Sequence, residues 1–119
     1  MFRPDRFEAL ARREVALIVR SLPEQIRQAV ERCQIRYEIA AAQGEDAGLL
    51  GLFTGCSLID GLPEGSEDLP RITLFLDEIR AMTGGDTSAF RDEVRITFLH
   101  ELGHYLGWGE EDVEERGLG

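Results

Sequence analysis

Both histidines of this chain stand in one pentad, His100-Glu101-Leu102-Gly103-His104, and the spacing of that pentad is that of a metal site. On a helix of 3.6 residues per turn, positions four apart lie about 40° apart around the axis and about 6 Å apart along it, so both imidazoles reach one ion. Glu101 flanks that face, about 60° from His104, which is close enough to hold a water at the ion and too far round for an in-line third ligand. Imidazole nitrogen suits zinc, and a carboxylate beside a zinc site is the group that takes a proton from water in metal-assisted hydrolysis. A histidine pair enclosing a glutamate therefore points to hydrolytic chemistry more than to unrelated surface side chains.

A third ligand has to come from the 15 residues after His104. If the helix simply continued, Glu110 would lie about 9 Å further along the axis than His104, out of reach. Gly107 can take the left-handed conformation that ends a helix, and with Gly109 it lets the chain reverse and bring Glu110 to the ion. The extended motif is then His100-Glu101-x-x-His104-x-x-Gly107-x-x-Glu110, which has the spacing of the metzincin pattern with a carboxylate in place of its last histidine. Two imidazoles and one carboxylate leave a fourth position for water. Glu111 and Asp112 are the alternatives to Glu110, because the three acids also suit the start of a short last helix, 110–116.

The elements that must position these groups follow from periodicity. Asp5 to Arg20 reads as a helix through Phe7, Leu10, Ala11, Leu17 and Ile18, and Pro23 starts a second helix carrying Ile26, Ala29 and Val30. Gln34 to Ala40 alternates Ile35, Tyr37 and Ile39 with polar residues, Leu49 to Leu58 is apolar and broken by Gly51 and Gly55, and Arg71 to Leu76 alternates Ile72, Leu74 and Leu76. Three strands are expected. Asp60 to Pro70 collects glycine, proline and acids and reads as a surface loop, with the rim of a cleft as its functional alternative. Asp86 or Thr87 caps a long helix to about Leu106, in which Phe90, Val94, Phe98, Leu99 and Leu102 pack on the sheet and hold the histidines on rigid structure.

Length and charge narrow the classes. A chain of 119 residues with 43% apolar residues is expected to form one domain, 1–119. A net charge of −10 without a basic stripe argues against a nucleic-acid partner, and the longest apolar run, Val15 to Val19, is too short for a membrane span. No apolar signal region follows Met1-Phe2-Arg3-Pro4-Asp5-Arg6, so a cytoplasmic location is expected. Cys33 and Cys56 belong to no ligand spacing and read as small buried hydrophobes. Tyr105 and Trp108 are near the site in sequence, but core or rim packing is the expected role of both.

The order of these elements, the segments Leu49-Leu50-Gly51-Leu52-Phe53-Thr54-Gly55 and Leu69-Pro70-Arg71-Ile72-Thr73-Leu74-Phe75, and the motif from His100 to Glu110 resemble the small bacterial zincin-like metallopeptidases over most of the chain. The resemblance implies an α+β minimal zincin fold: two N-terminal helices, a small twisted mixed sheet of about three strands, a long active-site helix and a short C-terminal helix. It implies Zn²⁺ held by His100, His104 and Glu110, and Glu101 as general base. Two departures, Phe53 where a tyrosine-type residue is common and no proline near Ser57, touch the sheet and cleft more than the metal. The expected function is hydrolysis of peptides or unfolded protein segments, for which a strand edge offers main-chain hydrogen bonds to an extended substrate; the alternative is a non-catalytic zinc-stabilised domain that binds a peptide or protein.

Overall fold

The computed structural model describes residues 6–39, 44, 47–58 and 69–107. Helices α1 (Arg6–Ser21) and α2 (Glu24–Glu31) come first, followed by strands β1 (Gln34–Glu38), β2 (Gly51–Thr54) and β3 (Arg71–Phe75) and helices α3 (Leu76–Met82) and α4 (Thr87–Tyr105). The strand order is β1-β3-β2, with β1 parallel and β2 antiparallel to the central β3. This is the expected α+β architecture with a small mixed sheet. The expected last helix, 110–116, and most of the expected loop from Asp60 to Pro70 lie outside the described residues.

Register explains which face of the sheet meets the helices. Ile35 and Tyr37 of β1 pair with Ile72 and Leu74 of β3, and Phe53 and Gly51 of β2 pair with the same two residues, so all six share one face. That face packs on α4, because Gly51 abuts Thr97. The core joins Ala11, Val15 and Ile18 of α1 to Ile72 and Leu74 and to Phe90, Val94, Phe98 and Leu102 of α4. Each large side chain buried here stabilises the fold by roughly 1.5–3 kcal/mol before conformational entropy is counted. Phe7 meets Phe90 edge-on, with ring centroids 4.8 Å apart, which ties the start of α1 to the first turns of the site helix.

Three local expectations differ from the structure. Leu17 does not join the core but is 46% exposed; the buried stripe of α1 is Ala11, Val15 and Ile18, the i, i+4, i+7 positions. Thr73 and Phe75 are buried as well as Ile72 and Leu74, because β3 is the central strand and is covered on both faces, so it does not show the alternation of a half-buried strand. Leu76 is not the end of that strand but the start of α3, in which Leu76 and Ile79 are buried. A helix of seven residues is less than two turns long and carries too short a periodic signal to stand out beside a strand that runs directly into it.

Candidate metal centre

Helix α4 starts at a side-chain cap: Oδ2 of Asp86 accepts a hydrogen bond from the Ala89 N–H at 2.9 Å, so Asp86, the first of the two expected residues, takes that position. The helix then runs to Tyr105 with Phe90, Val94, Phe98 and Leu102 buried on one side, while Leu99 is only half-buried. Its end is made as the glycine spacing predicts. Gly107 has φ +88°, in the left-handed region, and its N–H donates to the His104 carbonyl at 3.0 Å. The chain therefore stops being helical within three residues of His104.

At this end of α4 the Nε2 atoms of His100 and His104 are 3.2 Å apart, with ring centroids 4.8 Å apart and ring planes crossed at 82°. Two nitrogens bound to one tetrahedral zinc at 2.0–2.1 Å stand about 3.3 Å apart. The observed separation fits that pair of ligands. His100, Glu101 and His104 each offer a ligand atom within 4.8 Å of the others, and all three are half-buried. Neutral nitrogen and carboxylate oxygen are the donors zinc takes, so the donor set fits the ion implied by the motif. Glu110, Glu111, Asp112 and Trp108 lie outside the described residues.

Strand β2 passes close beside Thr97 and Glu101. A Cβ built on Gly51 would come 2.6 Å from Cγ2 of Thr97, 3.3 Å from Cγ of Glu101 and 3.3 Å from the Thr73 carbonyl oxygen. Only a residue without a side chain lets the strand approach the helix this closely. The sequence marks Gly51 merely as a break in an apolar run; its partner across the fold is visible only in three dimensions. Beside it lies a groove of about 370 Å³, walled by Leu49, Leu50 and Ile96 and reaching His100 and Glu101.

Tyr105 adjoins the motif in sequence but faces the core. It is 1% exposed, its hydroxyl donates to the Ala29 carbonyl of α2 at 2.9 Å, and its ring lies 5.7 Å from Phe53. It holds the site end of α4 against α2, in agreement with the packing role expected for it. Burial pushes its phenol up, and the nearby Cys33 thiol adds to the shift. Cys33 is buried and its thiol is pushed up to about 11 by that burial, whereas Cys56 is only partly buried; both are free thiols.

A family model described as zincin-like metallopeptidase matches residues 24–119, a span that starts at α2 and includes the sheet, α4 and the pentad. No curated protein matches the chain. Among the described residues no helix is long and apolar enough to cross a membrane.

Proposed function

We propose, from the premise that the chain belongs to the zincin-like metallopeptidase family, that it is a zinc-dependent peptidase with Glu101 as its general base. The observation that carries this reading is the 3.2 Å convergence of the two imidazole nitrogens with a carboxylate beside them at the end of a groove. His100 and His104 would hold the ion, with Glu110 as third ligand by its spacing after Gly107. Zinc, when bound, supplies the Lewis acidity that makes water nucleophilic near neutral pH and draws charge from a carbonyl oxygen.

The protein's own groups do the rest. Glu101 accepts the proton of the attacking water and returns it to the leaving amine nitrogen, which removes the need for a covalent enzyme intermediate. Gly51, having no side chain, leaves the space beside Glu101 that a Cβ would crowd. Leu49, Leu50 and Ile96 form an apolar wall beside the site on which a substrate side chain can lie. Strand β2 is an edge of the sheet and pairs only with β3 among the described residues, so a peptide or an unfolded segment can add to it as a further strand by main-chain hydrogen bonds.

The test compares the native chain with Glu101→Gln, measuring bound zinc and cleavage of a quenched peptide library. The expected result is about one zinc per chain in both, with turnover lowered at least about 100-fold in the variant. Equal turnover in the two proteins contradicts the assignment of Glu101. Zinc without turnover in either favours the non-catalytic, zinc-stabilised binding domain.

A further inference from the structure

The groove beside the metal centre has a charged far end that the reaction itself does not use. Glu93, Ile96, Thr97, His100 and Glu101 all line it, and their positions along α4 place them on one face of the helix. Glu93 is two turns before His100, about 10 Å along the axis. Its place is held from below: Thr97 is only 6% exposed, and its hydroxyl donates to Oε1 of Glu93 at 3.4 Å. No cation pairs with Glu93 among the described residues. Between Glu93 and the site the groove is apolar, with Leu49 37% and Ile96 43% exposed. A carboxylate thus stands about two helical turns from His100, across a strip of apolar surface.

We propose that Glu93 selects substrates carrying an arginine or lysine about three residues from the cleaved bond, on one side of it only, with an apolar residue between. The spacing sets the number: an extended chain rises about 3.3 Å per residue, so the roughly 10 Å of helix between Glu93 and His100, the nearer imidazole, corresponds to about three residues. The chemistry sets the class, since a carboxylate braced beside apolar surface pairs with a long cationic side chain whose methylenes lie on that surface. The groove lies to one side of His100 and Glu101, which confines the preference to one side of the bond. This inference rests on the peptidase reading for its substrate, and its test is arranged so that the two fail separately.

The experiment measures binding by fluorescence anisotropy to zinc-loaded Glu101→Gln protein, using three labelled peptides that are identical except for arginine, glutamine or glutamate at the third position from a central apolar residue. The background proteins are Glu101→Gln alone, Glu101→Gln with Glu93→Gln, and Glu101→Gln with Asp92→Asn. Asp92 is an exposed acid on another face of α4, so its loss changes the net charge equally and controls for general attraction of a cation to an acidic protein. The arginine peptide is expected to bind roughly fivefold more tightly than the glutamine peptide, with the glutamate peptide weakest. That preference disappears with Glu93→Gln and survives Asp92→Asn. An arginine preference that survives Glu93→Gln, that is lost equally with Asp92→Asn, or that is absent from the start overturns the proposal. If the preference follows Glu93 while the native chain cleaves none of the peptides, the groove assignment stands and the peptidase reading falls.

Discussion

A side-chain carbon on Gly51 would stand 2.6 Å from Cγ2 of Thr97, so strand β2 and the site helix meet with no room for even one methyl group, one turn before Glu101. Thr97 is only 6% exposed, so its methyl has little space to turn into, and Gly51→Ala must shift that side chain, the strand or the helix. The expected cost is about 1–3 kcal/mol, seen as a lower denaturation midpoint, with peptide turnover reduced about tenfold or more by displacement of Glu101. Thr97→Ser removes the offending carbon and keeps the hydroxyl, so the double variant should recover most of the lost stability. Additive losses in the double variant would show that this contact is not the cause.

The hydroxyl of Tyr105 bridges to the Ala29 carbonyl across 76 residues of sequence. Tyr105→Phe leaves that carbonyl without this partner in a buried place, at a cost of about 1–2 kcal/mol. Urea denaturation is the measurement, and an unchanged midpoint would mean that the bond contributes nothing net.

Alkaline pH should weaken the fold through Cys33. Its thiol is pushed from 9.0 to about 11 by burial, so the unfolded chain gives up this proton at lower pH than the folded one. The stabilisation is complete below about pH 9 and is lost as pH rises towards 11. Tyr37 and Tyr105, both pushed up by burial, extend the decline in the same direction above pH 10. Thermal melts between pH 8 and 11 on the native chain and on Cys33→Ala check this: the native chain should lose more stability over the first part of that range. Parallel curves would contradict it.

Gly107 ends α4 at φ +88°, a conformation that costs other residues about 1 kcal/mol. Gly107→Ala should therefore extend or strain the helix end and so misplace the third ligand proposed to follow it. A zinc-chelator competition is expected to show affinity reduced about tenfold or more, against a small loss of stability in the metal-free protein. Affinity equal to that of the native chain would separate the helix end from the metal site.

The parts of this molecule that repeat along the chain could be read from its sequence. The histidine pair needs only a helix to bring it together, and Asp86, the apolar stripe from Phe90 to Leu102 and Gly107 mark that helix from end to end. The strands were legible in place and less so in extent, since Leu49 to Leu58 shrinks to Gly51–Thr54 and Arg71 to Leu76 loses its last residue to α3. What could not be read depends on where elements cross. The central place of β3 hides Thr73 and Phe75, the contact of Gly51 with Thr97 joins residues far apart in the chain, and Tyr105 finds its partner in α2. The groove to Glu93 belongs to the same class, because its far wall comes from the residues that lead into β2.

The most direct measurement is the zinc K-edge absorption spectrum of the zinc-loaded chain, taken together with anomalous diffraction at that edge. One zinc per chain is expected, with two imidazole nitrogens at 2.0–2.1 Å, from His100 and His104, and two oxygens, one of them from Glu110. A zinc held by neither histidine, or four protein ligands with no place for water, would contradict it.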